Sequence, residues 1–198
     1  MPTTSLDTVL RQSRRVGDFP YPHWAAFLLD NPVRRLFANP ADLAAALELT
    51  GTESVLELGP GSGFFSREVA GRLPGGRLEL FDIQPEMLAK ARRKLDDAGH
   101  RNVGFHSGDA GAGLPFPADT FDIAYSVSVI GEVPDKPSCL ESLARVVKPG
   151  GLLVFMEGFP DPDRLGTDEL RQLAEPAGFR LRDASGTIVR DIVRFDNT

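Results

Sequence analysis

Val55-Leu56-Glu57-Leu58-Gly59-Pro60-Gly61-Ser62-Gly63-Phe64-Phe65 is a short apolar run that ends in a glycine-rich turn and restarts with helical spacing. That is the opening of a βα unit, and glycines at such a turn let backbone approach a ligand closely at the carboxyl edge of a parallel sheet. The glycines fall at alternate positions, 59, 61 and 63. A dinucleotide fingerprint sets its third glycine one place later, where helix packs on strand, and this chain has Phe64 there. The offset argues against a pyrophosphate-bearing dinucleotide, and so against a nicotinamide-dependent oxidoreductase.

Outward from this unit, short apolar runs predict strands at 54–58, 77–82, 103–106, 121–126 and 152–157. Helical spacing predicts helices near 62–72, 85–98 and 137–147, and the alternation of the two is the mark of a parallel sheet. Leu73-Pro74-Gly75-Gly76 and Lys148-Pro149-Gly150-Gly151 supply turns just before strands. Thr167 is expected to cap a helix that Gly178 ends in a left-handed conformation. Two further strands, 179–184 and 187–195, are expected to meet at a tight Ser185-Gly186 turn, which makes that pair antiparallel.

Residues 1–40, broken by Phe19-Pro20-Tyr21-Pro22, read as a short helical appendage or lid, and 41–198 as a single compact domain. Asn39-Pro40 opens a helix expected to run to about residue 49.

Composition narrows the function classes. With 41% hydrophobic and 25% charged residues, the chain is that of a globular protein. A net charge of −6 repels phosphate backbones, so no nucleic-acid partner is expected. Cys139 is the only cysteine, which excludes an intramolecular disulfide and a cysteine zinc cluster; no metal is expected. Neither a leader nor a spanning run is evident, so the expectation is a cytoplasmic protein with no membrane partner.

Two further acids mark a ligand site. Asp82 closes the second strand about 20 residues beyond the first glycine, where a carboxylate accepts hydrogen bonds from ribose hydroxyls; alone it could be a helix-start acid, and the pairing with the glycine turn favours the ribose role. Asp109, in Ser107-Gly108-Asp109-Ala110 after the third strand, could accept an adenine amine or merely shape a turn.

Taken together, residues 57–63, 82–88, Gly108-Asp109-Ala110, Leu114-Pro115-Phe116-Pro117 with Phe121-Asp122, and 145–151 resemble the class I methyltransferases of the ubiquinone-biosynthesis-like kind, over roughly residues 40–184. The resemblance implies a Rossmann-like α/β fold: a seven-stranded, mostly parallel sheet with an antiparallel last strand and helices on both faces. It implies S-adenosyl-L-methionine as cofactor, with Gly59, Gly61 and Gly63 around the methionine part and Glu57 on its amino group. It also implies Asp82 on both ribose hydroxyls, Ile83 and Met87 flanking adenine, and Asp109 with the Ala110 amide reading the adenine edge. Ser126 would stand beside the methionine moiety.

The expected activity is methyl transfer to a small-molecule acceptor by in-line displacement, with a protein that binds the cofactor without catalysis as the alternative. A general base is optional for such a reaction. Candidates are His23, Glu132 and the acids Glu157, Asp161 and Asp163. Where the resembling family commonly carries a histidine after the fourth strand, this chain has Val129-Ile130-Gly131-Glu132-Val133. Cys139 reads as a buried structural thiol.

Overall fold

Alternating apolar positions along the central strands send side chains to two faces, and each face acquires its own helices. The computed structural model describes residues 39–158, 161, 163–187 and 190–198; the expected appendage, with His23, lies outside them. Among the described residues the strands are β1 (Ser54–Leu58), β2 (Arg77–Asp82), β3 (Val103–Ser107), β4 (Phe121–Val127), β5 (Val147–Gly158), β6 (Phe179–Gly186) and β7 (Arg190–Asn197). The helices are α1 (Pro40–Ala46), α2 (Ser66–Gly71), α3 (Pro85–Asp97), α4 (Lys136–Val146) and α5 (Thr167–Ala174). No helix among these is long and apolar enough to cross a membrane.

The sheet order is β3-β2-β1-β4-β5-β7-β6. Strands β1 to β5 pair in parallel, whereas β7 runs antiparallel to both β5 and β6. This is the expected sheet, with β7 inserted between β5 and β6.

Val55, Ile123, Val154 and Ile192 join Leu43, Val69, Ala91 and Leu95 on the face covered by α1, α2 and α3. Leu56, Ala124, Phe155 and Val193 join Leu140, Leu143 and Leu170 on the face covered by α4 and α5. Helix α3 shows why the sequence folds this way: Leu88, Ala91 and Leu95 are buried at helical spacing, and Pro85 occupies the first turn, where its missing N–H costs nothing.

Several boundaries differ from the sequence expectation. Helix α2 starts at Ser66, because the glycines before it hold positive φ angles that a helix cannot use. The Lys148–Gly151 stretch is a bulge inside β5 rather than a turn before it; the register on β4 jumps from Phe121↔Val147 to Ile123↔Leu152. Gly166, not Thr167, caps α5, with its N–H donated to Glu169 Oε2 at 3.0 Å. Ser185 and Gly186 are paired within β6, and the hairpin closes beyond them, where Thr187 N–H donates to Arg190 O at 2.7 Å. Gly178 is left-handed as expected, with φ 103°.

Asn197 closes the fold. Buried at the end of β7, its amide donates to Val147 O at 2.7 Å and to Ala144 O at 2.9 Å, tying β7 to the end of α4. Replacing Asn197 by alanine leaves buried carbonyls without donors and should lower stability by about 1–3 kcal/mol. Urea unfolding checks this: the midpoint should fall with an unchanged slope.

Candidate functional site

Strand order reverses between β1 and β4, since β2 and β3 extend to one side and β4 and β5 to the other. Open parallel sheets bind ligands in the crevice at that reversal, outside the carboxyl ends of the strands. The glycine turn leaves β1 into this crevice, and the Gly59 N–H donates to Phe81 O at 2.8 Å, which pins the turn to the end of β2.

The three glycines serve different ends. Their φ angles are +66°, +54° and +80° for Gly59, Gly61 and Gly63. A Cβ on Gly59 would stand 2.4 Å from Val129 Cγ2, and one on Gly63 would stand 3.1 Å from Ala91 of α3. A Cβ on Gly61 would meet nothing within 4 Å. Gly59 and Gly63 are thus required by packing, whereas Gly61 borders open space. The close approach between turn and helix falls at Gly63, and Phe64 packs edge-on against Phe65 instead, with ring centroids 5.1 Å apart.

Asp82 sits beside Gly61, 8% exposed, with Oδ2 accepting the Gly61 N–H at 3.3 Å and Oδ1 accepting the Gln84 N–H at 2.9 Å. Burial pushes its carboxyl above the usual aspartate value, against the pull of the Gln84, Gly61 and Ile83 N–H groups. Ile83 is 49% exposed, the one exposed large hydrophobic among the described residues, while Met87 in the first turn of α3 is buried. Asp109 is exposed and caps the short turn after β3, its Oδ1 accepting the Gly111 N–H at 2.8 Å; Ala110 is buried. Gly108 lies under Phe81, whose ring would be 2.7 Å from a Cβ there.

Glu57 and Ser126 complete the floor, 2% and 1% exposed. Ser126 pairs with Leu58 on β1 and Phe155 on β5, and its Oγ has no hydrogen-bond partner among the described residues. Tyr125, to which the sequence analysis gave no role, is fully buried as the register partner of Glu57.

On the other side of the crevice, Glu132 lies half-buried in the turn after β4, where its N–H donates to Val129 O at 2.9 Å. The loops after β4 and β5 touch: a Cβ on Gly131 would be 2.1 Å from Asp163 O. Glu157 is fully buried, with Oε2 accepting the Leu165 N–H at 3.3 Å, and Asp161 Oδ1 accepts the Asp163 N–H at 2.9 Å. These two acids therefore shape the β5 loop. The buried Arg164, also missed from sequence, pairs with Asp191 of β7 and ties that loop to the hairpin. Burial, helped by the charges of Asp109 and Asp135, pushes the Cys139 thiol up to about 12, so it is no nucleophile at neutral pH.

The donor set fits S-adenosylmethionine. A carboxylate stands where ribose hydroxyls can reach it, an exposed isoleucine follows it, a Cβ-free gap opens at Gly61, and an unpartnered buried hydroxyl waits at Ser126. The glycine geometry separates folding from binding. Gly59→Ala should unfold the turn, with a large drop in thermal midpoint, because backbone strain and the Val129 clash add. Gly61→Ala should cost only the left-handed penalty of about 1–2 kcal/mol yet strongly weaken cofactor binding in calorimetry.

Comparison with known proteins agrees with this geometry. The chain matches the family described as a methyltransferase domain over residues 55–151. It is 38% identical over 138 residues to a ubiquinone/menaquinone biosynthesis C-methyltransferase of Marinomonas sp., covering 68% of this chain and 53% of that protein. It is 31% identical over 163 residues to an arsenite methyltransferase of Halobacterium salinarum, covering 71% of this chain and 40% of that one. The chain thus spans about half the length, or less, of these relatives. A SAM-dependent methyltransferase from Aquifex aeolicus shares the fold at TM-score 0.83 and 23% identity, over 90% of this chain and 100% of that one. The sheet with its inserted antiparallel strand agrees with these matches, and the chain belongs to the class I, S-adenosylmethionine-dependent methyltransferases.

Proposed function

We propose that the protein is a cytoplasmic enzyme that moves a methyl group from S-adenosylmethionine to a small-molecule acceptor. The observation that carries the reading is Asp82, a buried carboxylate held by two backbone N–H groups beside the open gap at Gly61 and the exposed Ile83. A carboxylate pushed up by burial gains from further donors, and a ribose diol supplies two.

When bound, S-adenosylmethionine supplies a sulfonium methyl already activated for displacement. What remains for the chain is to place the cofactor, align the acceptor in line with the methyl and keep water out. Asp82 takes the ribose hydroxyls, Ile83 and Met87 flank adenine, and Asp109 with the Ala110 amide reads its edge. Glu57 receives the ammonium group, Gly59, Gly61 and Gly63 wrap the methionine part, and Ser126 donates to it. The acceptor pocket is assigned to residues 1–40 and the loops after β4 and β5, which pack together at Gly131 and Asp163.

Both named relatives act on small acceptors by their descriptions. An arsenic acceptor suits this chain poorly, since its single cysteine is a buried, protonated thiol. The net charge of −6 opposes a polynucleotide acceptor. His23 and Glu132 are the proposed groups for removing a proton from the acceptor.

Calorimetric titration with S-adenosylmethionine, its demethylated product and NAD tests the cofactor assignment. The first two should bind and NAD should not, and Asp82→Ala should weaken binding by about tenfold or more. NAD binding, or no binding at all, sinks the assignment. Once acceptors have been screened, His23→Ala should lower turnover by about a hundredfold with cofactor affinity unchanged; unaltered turnover removes His23 from catalysis.

A further inference from the structure

Glu57 and Tyr125 face one another across β1 and β4. They are register partners, and partners in a parallel pair project to the same face of the sheet. Tyr125 is embedded in the apolar cluster that contains Val55, Val69 and Ile123, so its hydroxyl is the polar end of a side chain otherwise surrounded by hydrocarbon. Burial, followed by the negative charge of Glu57, raises the phenol well above its usual value and keeps it a protonated donor. Glu57 acts on the phenol both as a charge and as a hydrogen-bonding neighbour, although the pair does not meet ordinary hydrogen-bond geometry. A buried phenol needs an acceptor, and phenylalanine would fill the same space without that need.

We propose that Tyr125 is a positioning residue of the cofactor site: its hydroxyl donates to one oxygen of Glu57 and so presents the other oxygen to the ammonium group of the bound cofactor. The proposal rests on the methyltransferase reading and deepens it. The donor favours the ionised carboxylate in a site that water does not reach. The register alone creates this arrangement, since the two residues are far apart in sequence and no local motif joins them.

Tyr125→Phe and the unmodified protein should be titrated with S-adenosylhomocysteine and with 5′-methylthioadenosine. The second ligand keeps the adenosine and the sulfur but lacks the amino-acid group. The substitution should weaken S-adenosylhomocysteine by about tenfold and change 5′-methylthioadenosine by less than about twofold. A substitution that leaves the affinity for S-adenosylhomocysteine unchanged overturns the proposal, and so does an equal loss for both ligands, which marks a structural role.

A second measurement needs no variant of Tyr125. With Tyr21 and Tyr125 the only tyrosines, 13Cζ labelling gives two resonances, assigned by Tyr21→Phe. The Tyr125 signal should move on addition of S-adenosylhomocysteine and stay in place with 5′-methylthioadenosine; a signal unmoved by the former overturns the proposal even if Tyr125→Phe does not fold. If the unmodified protein binds neither ligand, the cofactor reading itself falls, a result distinct from failure of the Tyr125 role.

Discussion

Close approach of two loops at the carboxyl edge of the sheet is the constraint on which the rest of the molecule depends. The turn after β1 and the turn after β4 come so near that Val129 occupies the space of a side chain at Gly59. The Gly59 N–H is held by the Phe81 carbonyl, so the turn is fixed from the β2 side and covered from the β4 side. Only a residue without a Cβ, in a left-handed conformation, satisfies both. Because the turn is fixed, Gly61 is delivered next to Asp82, and the opening between them is a property of the backbone.

Polar groups buried around that opening give it chemical character. Asp82, Glu57, Tyr125 and Ser126 lie at or near the ends of three adjacent strands, and each is less than a tenth exposed. A hydrophobic core does not accept such groups without partners. Here the groups lie at the crevice, and the hydroxyl of Ser126 is left without a partner among the described residues. The same burial that makes the Cys139 thiol inert makes the carboxylate of Asp82 receptive to donors. What differs is the surroundings: Cys139 faces α4 packing, Asp82 the open end of the sheet.

The acceptor side is built by different means. Arg164 pairs with Asp191, Glu157 accepts the Leu165 N–H, and Gly131 abuts the Asp163 carbonyl, so the loop after β5 is tied at once to β7, to its own strand and to the loop after β4. The insertion of β7 between β5 and β6 sets Asp191 beside Glu157 in register, and the β5 loop can then reach it. The side chains of Glu157 and Asp161 are thereby committed to the shape of this loop.

Local pattern carried much of this. Alternating apolar runs, proline and glycine punctuation and the spacing of Gly59, Gly61, Gly63 and Asp82 were enough to specify strands, helices, sheet class and the strand ends that border the crevice, because each depends on backbone geometry within a few residues. The end of α2 nearest the glycines, the bulge at Lys148–Gly151 and the hairpin beyond Gly186 were misplaced, since each is set by what a neighbouring strand or turn requires. Tyr125 beside Glu57, Val129 over Gly59 and Arg164 on Asp191 were invisible in the sequence, for they join residues whose meeting depends on register and strand order. Which strands are present, and which residues end them, is written in the chain; which side chains those strands bring face to face was decided by the folded sheet, because a parallel register is set by packing over the whole face and not by any local pattern.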